Sequence, residues 1–147
     1  MAQFGRPSTD TTLDTWVEDD DTATAIFDQI DEVSSDDADY IKTELTPTNA
    51  VYVTKLTALE DPISSANHIV RFRYRKEATG GDIIGLVTEL RQGYVSEGSQ
   101  GTLIATQTNA DISGAAWVAG TFTLSGAEAD AITDYTDLYL RFVGNAT

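Results

Sequence analysis

The sequence predicts an all-β protein, an antiparallel β-sandwich of jelly-roll type with two short helices. Three observations predict it. About eight short segments rich in β-branched and aromatic residues recur at roughly 8–15-residue spacing, separated by Gly, Pro, Asn and Asp clusters. His68–Lys76 alternates cleanly, with Val70, Phe72 and Tyr74 on one face and Arg71, Arg73 and Arg75 on the other. Threonine is abundant and falls mostly inside these segments, as suits a half-buried pleated surface. At 147 residues the chain fits one domain. A domain of this size buries about 68–70% of its unfolded surface, so it needs no disulfide or metal to hold it together.

Residues 1–12 are polar and without period, and read as an extended N-terminal arm; residues 13–147 form the single sandwich domain. Leu13–Val17 reads as a short first strand anchored by Trp16, and Glu18–Asp21 as an acidic loop. Ala23, Ile26, Phe27, Ile30 and Val33 then recur at steps of three and four, which predicts a short helix over 23–33, capped by Asp20, Asp21 or Thr22. Tyr40–Leu45 and Ala50–Leu56 read as strands broken by Pro47-Thr48-Asn49, and Glu60-Asp61-Pro62 as a turn. After His68–Lys76, the turn Thr79-Gly80-Gly81-Asp82 leads into Ile83–Arg91, with Ile84, Leu86 and Leu90 on one face. Tyr94–Val95, Leu103–Thr108 and Trp117–Leu124 follow as strands, separated by Gly98–Gly101 and Asn109–Gly114. Ser125 and Glu128 make a capping box for a second helix over 126–133, its apolar side formed by Ala129 and Ile132. Asp137–Val143 is the last strand.

Charge narrows the function classes. Nine Lys and Arg face 24 Asp and Glu, a net −15. A nucleic-acid binder needs a basic face for phosphates, and an anionic membrane surface needs one for its headgroups; neither partner is expected. No apolar run reaches the ~20 residues of a membrane helix, and no secretory signal is visible after Met1, so synthesis in a cytosol is expected. There is no cysteine, no Walker loop and no Gly-x-Ser-x-Gly elbow. The single histidine, His68, excludes two-histidine metal motifs and reads as a partly buried residue bonded to backbone. No catalytic residue, cofactor or metal is assigned, and the protein is not read as an enzyme.

Four groups of residues invite a functional reading. Thirteen of the 24 acids lie between Asp10 and Glu44, where Lys42 is the one cation. They are either a solvated acidic face or oxygen ligands for calcium, although no Asp-x-Asp-x-Asp-Gly loop is present. Paired carboxylates could serve glycoside hydrolysis, but chance pairs abound among so many acids. Trp16, Trp117 and the tyrosines are core residues or a sugar-binding platform. Arg71, Arg73 and Arg75, with Lys76, place four of nine cations on one strand. Like charges side by side repel, so they either pair with acids of a neighbouring strand or of the N-terminal third, or they meet a partner.

Several segments occur together in a familiar order. They are Trp16; Ile30-Asp31-Glu32; Ser35-Asp36-Asp37-Ala38-Asp39-Tyr40-Ile41; Leu59-Glu60-Asp61-Pro62; Val70-Arg71-Phe72-Arg73-Tyr74-Arg75-Lys76; Leu90-Arg91-Gln92-Gly93; and Leu124 through Leu138. Over about Trp16 to Phe142 this order resembles the small β-sandwich virion-associated proteins of tailed phages. None of the segments is a catalytic motif. The resemblance implies a head decoration, or cement, protein on the outer capsid surface, bound to the major capsid protein as a homo-oligomer, a trimer first. The residues expected at the partner interface are Phe4, Arg6 and Pro7 of the arm and Arg71, Arg73 and Arg75 of the stripe. The alternative is a non-enzymatic carbohydrate- or receptor-binding module of a head fibre or tail appendage.

Overall fold

Ala50–Leu56 carries apolar residues on both faces and is buried throughout except at Lys55, the pattern of a strand covered on both sides. It forms β4 of the protein, whose computed structural model describes residues 2–79 and 82–147. In chain order the strands are β1 (Pro7–Thr12), β2 (Val17–Glu18), β3 (Ile41–Lys42), β4 (Ala50–Leu56), β5 (Ile69–Tyr74), β6 (Ile84–Gln92), β7 (Thr102–Ile112), β8 (Val118–Thr123) and β9 (Leu138–Ala146). A 3₁₀ turn, η1 (Ile26–Gln29), and a short helix, α1 (Gly126–Asp130), complete the elements. All pairings are antiparallel. Five strands make the main sheet in the order β1-β4-β9-β6-β7, while β2-β3 and β5-β8 are two-stranded ribbons.

Alternation sorts the main sheet into two faces. One carries Tyr52, Leu56, Leu86, Leu90, Leu140 and Phe142, and on it pack Val70, Phe72, Tyr74 and Phe122 of the β5-β8 ribbon together with Trp16, Ile26, Leu124 and Ile132. The other carries a second cluster, Val51, Val53, Tyr94 and Tyr139, with Val143 against it. Between ribbon and sheet, Phe72 meets Phe142 edge-on at 6.2 Å. Phe72 also lies across its cross-strand partner Gly120, where a Cβ would come within 2.5 Å of the ring. Only glycine leaves room for the aromatic there.

Several expected elements take a different form. The segment read as a free arm is held from Gln3 onward, by reciprocal bonds with Glu60 (Gln3 Nε2 to Glu60 O, 3.0 Å; Glu60 N to Gln3 Oε1, 2.8 Å). From Pro7 to Thr12 it is β1, paired with β4; its polar side chains match an edge position, and so hide the strand from a hydrophobic pattern. Leu13–Val17 is not a strand: Asp14 has φ 44° and Trp16 N donates to Leu13 O at 2.9 Å, a turn that buries Trp16. The helix over 23–33 shrinks to η1. Ala25 before it is left-handed at φ 58° and gives no side-chain cap, while Asp20 is spent on Thr22 N (3.0 Å). Tyr40–Leu45 keeps only the two residues of β3, and Tyr94–Val95 leads into a turn closed by Ser96 and Ser99. β7 runs through Asn109 to Ile112, which had read as a loop. The Thr79-Gly80-Gly81-Asp82 turn falls partly outside the described residues. The capping box is present as read: Ser125 Oγ accepts from Glu128 N (3.3 Å) and Glu128 Oε2 from Ser125 N (2.7 Å), although α1 ends at Asp130 rather than 133.

Two outcomes follow for stability. Gly120→Ala forces the Phe72 ring off its packing and lowers stability by about 1–3 kcal/mol in urea unfolding. Leu140→Ala, at the centre of the larger cluster, costs about 2–5 kcal/mol by the same measurement.

Candidate functional site

Strand β5 is half-buried on alternate residues: Val70, Phe72 and Tyr74 turn inward, and Arg71 and Arg73 turn to solvent. The register sets Arg71 opposite Thr121 and Arg73 opposite Ala119 of β8, which has no acid along Val118–Thr123. Cross-strand neutralisation within the ribbon is therefore absent. Arg73 is paired instead by the acidic N-terminal third, in a two-pronged contact with Asp37 (Nε to Oδ1, 2.7 Å; Nη2 to Oδ2, 2.8 Å). Arg75 lies over two rings, 4.8 Å from the Trp117 centroid and 5.2 Å from that of Tyr40, which meet each other nearly edge-on at 5.8 Å. Arg71 has no partner among the described residues and is exposed. The three arginines of one stripe thus have three different fates.

The Arg75 site escaped the sequence reading. The signal was in the hairpin register: Tyr74 faces Val118, so the next residues outward, Arg75 and Trp117, fall side by side. Tyr40 comes from the distant acidic segment and could not be placed without the tertiary fold.

The N-terminal candidates are largely engaged within the chain. Pro7 is buried in β1. The Arg6 guanidinium donates to the carbonyls of Glu32 and Val33, the latter at 3.2 Å, and its centre lies 5.2 Å from the Phe4 ring. Phe4 itself is 63% exposed and remains presentable to a partner.

A second polar cluster, unforeseen from the sequence, sits on the far face of the main sheet. Glu89 Oε2 accepts from Arg91 Nε (2.7 Å) and Arg141 Nη1 (3.0 Å). Arg141 also grips Glu97 through Nε (2.9 Å) and Nη2 (2.6 Å). Tyr94 donates its hydroxyl to Glu97 Oε1 at 2.9 Å and meets Thr12 Oγ1 at 2.9 Å, so the loop after β6 is tied down onto β1 and β9. The Arg141 guanidinium is the main reason that the Glu97 carboxyl lies below the usual glutamate range, helped by Tyr94 and opposed by partial burial. Every member of this cluster is matched, which marks a structural clamp rather than a site awaiting a ligand.

Comparison of the chain with protein-family models, with curated proteins and with solved structures returned no match. Function therefore rests on the chemistry of the surface. His68 bonds through Nε2 to the Tyr135 hydroxyl (2.8 Å) rather than to backbone, and burial raises the Tyr135 hydroxyl above its ordinary value. Among the described residues no three of His, Asp and Glu are grouped to hold a metal ion. Two shallow depressions of about 400 and 430 Å³ open on the surface; the second is lined by Asp61, Asp130 and Tyr135. No helix among the described residues is long and apolar enough to cross a membrane.

The far-face cluster predicts a pH signature. The depressed Glu97 carboxyl adds stability that is present above its ordinary value and is lost as pH falls through the lower, folded value. Arg141→Met leaves Glu89 and Glu97 under-compensated and costs about 3 kcal/mol at pH 7. The gap between wild type and variant narrows as pH falls below the ordinary glutamate value of about 4.3 and on through the lower, folded value of Glu97, whose carboxyl takes up its proton first in the variant and then in the wild type. Urea unfolding across that pH range measures it.

Proposed function

We propose that this protein is a virion structural protein, a capsid decoration protein that binds the outer surface of a phage head and stabilises it through the major capsid protein. The observation that carries the reading is the solvent face of the β5-β8 ribbon. On a chain of net charge −15, Arg71 stands exposed beside Thr121, with no partner among the described residues. Arginine is enriched at protein interfaces, where its planar fork matches carboxylates on the partner. Arg73, with Asp37 as an internal counter-charge, and Phe4, exposed nearby in sequence to the β1 edge, would complete a contact of several weak points. Repeated over a lattice, such contacts bind well in sum although each is weak. The ribbon laid over one face of the five-stranded sheet is read as the smaller layer of a sandwich, the architecture that this role implies.

A carbohydrate-binding module is the competing reading, because Tyr40 and Trp117 form an aromatic pair. Arg75 already lies over both rings, so a sugar would have to displace it, and this favours the capsid partner.

The experiment mixes the purified protein with expanded phage capsids assembled without it and images the particles by electron microscopy. Ordered density at lattice positions is expected. Arg71→Glu is expected to keep wild-type thermal stability, since the side chain has no internal partner to lose, and to weaken capsid binding about tenfold or more. Bare capsids with the folded wild-type protein would overturn the reading; binding to an array of glycans would replace it with the adhesin.

A further inference from the structure

The two edges of the main sheet are built differently. β1 is guarded in the ways that soluble proteins guard an edge. It opens on Pro7, its pairing with β4 shifts register twice within six residues, and Asp10 sits in its middle with its side chain turned to Tyr52 and Phe27. β7, the opposite edge, is 11 residues long and pairs only with β6. It has no proline, and Thr102–Ala110 carries no charge, in a chain where Asp and Glu number 24. Between two register shifts, Ala105–Asn109 runs in regular pairing against Leu86–Leu90. Among the described residues no hydrogen bond from any element other than β6 reaches the β7 backbone, α1 included, although α1 packs beside the strand. Thr106 and Thr108 are exposed, and Leu103 is 45% exposed.

An open strand edge can accept many extended segments, but the sequence of this one favours itself. Reading outward from Gln107, the flanking residues are Thr106 and Thr108, then Ala105 and Asn109, then Ile104 and Ala110. A two-fold axis at Gln107 therefore sets Thr106 of each copy against Thr108 of the other, a favourable cross-strand pair made twice, with no like charges opposed. Charge points the same way. Thirteen acids lie between Asp10 and Glu44, and β1, η1 and β2, which belong to that stretch or adjoin it, pack together at the other side of the sheet. Joining two copies through β7 keeps those acidic regions apart.

We infer that β7 is a self-association edge, at which two copies of this chain pair β7 with β7 antiparallel about Gln107 and continue one sheet into the next. The contact is isologous and closes at two copies, in place of the trimer that the resemblance to decoration proteins implies. It does not depend on the capsid reading. A five-residue ladder is small beside the roughly 1,200 Å² of a standard stable interface, so the pair is weak in dilute solution and gains on a crowded surface.

The test is sedimentation velocity of the full chain from about 1 µM to about 1 mM, at low and at high salt. A monomer–dimer equilibrium is expected, shifted toward dimer by salt as the repulsion between two acidic chains is screened. Thr106→Lys and Thr108→Lys, both on exposed side chains, are expected to weaken the dimer at least tenfold while thermal unfolding stays that of wild type. The cysteine-free chain allows a register test. Gln107→Cys is expected to form a disulfide-linked dimer on oxidation, because opposed residues lie about 4.5–5.5 Å apart, within disulfide reach. Ala110→Cys is expected not to, its two copies being about 20 Å apart along the paired strands. A monomer throughout, a trimer, a dimer that the lysine variants leave intact, or cross-linking at Ala110 and not at Gln107 would each overturn the inference. If Gln107→Cys fails to fold, the lysine variants decide.

Discussion

Tyr52 holds the two halves of this fold together. It is fully buried at the middle of β4, and its hydroxyl donates to Asp10 Oδ1 at 2.8 Å. The same oxygen accepts the Phe27 backbone N–H at 3.0 Å, so one carboxylate ties β1, β4 and η1. The ring stacks on Phe142 of β9 at 6.2 Å and tilts against Trp16 at 6.1 Å. Burial, with the adjacent Asp10 oxygen, raises the Tyr52 hydroxyl far above its ordinary value, which keeps it a donor under all ordinary conditions. A buried polar atom without a partner is costly, so Tyr52 can occupy the core only if Asp10 comes with it. That requirement draws the polar N-terminal segment into the sheet as β1.

The acidic composition is handled by local matching. Asp and Glu of the N-terminal third close their own turns: Asp20 accepts from Thr22 N, Asp36 from Ala38 N, and Asp21 pairs with Lys42 at 2.8 Å. These pairs are exposed, so each is worth little in net stability. The Glu89–Arg91–Arg141–Glu97 cluster is different in kind. Its arginines and Glu89 are nearly covered, and they sit where a sheet face would otherwise be apolar. The chain has nine basic groups, and two of them are used here, where their loss exposes charge inside the protein.

Legibility in the sequence followed the length and regularity of each element. Ala50–Leu56, His68–Lys76 and Ile83–Arg91 were readable within a residue or two, the first from its run of β-branched and aromatic residues after a Pro-Thr-Asn break and the other two from residues that repeat on one face. The inward set Val70, Phe72 and Tyr74 faces the core as read. The short elements were not readable. Over 23–33 the apolar spacing of a helix is real, and Ile26 is buried as it implies, yet Val33 is 87% exposed. A segment as short as 23–33 does not stabilise a helix by itself, and the donor that needed a cap found Asp10 in another element. The candidate interface residues divide likewise. Arg71 was identifiable as outward-facing; the engagement of Arg6 with the Glu32 and Val33 carbonyls depends on chain brought from 26 and 27 positions away.

By itself the sequence determined the all-β class, the antiparallel habit of the strands, the side that β5 and β6 turn inward, and the capping box at Ser125, because each depends on neighbours within a few positions. Only the tertiary structure decided that β1 joins the sheet, which sheet edge is guarded and which is open, and which arginine of the stripe keeps a free guanidinium. Those outcomes depend on pairings between residues tens of positions apart, and many pairings of such partners satisfy the same local pattern. The choice among them is made when Tyr52, Asp10 and the two faces of the sheet are all satisfied at once.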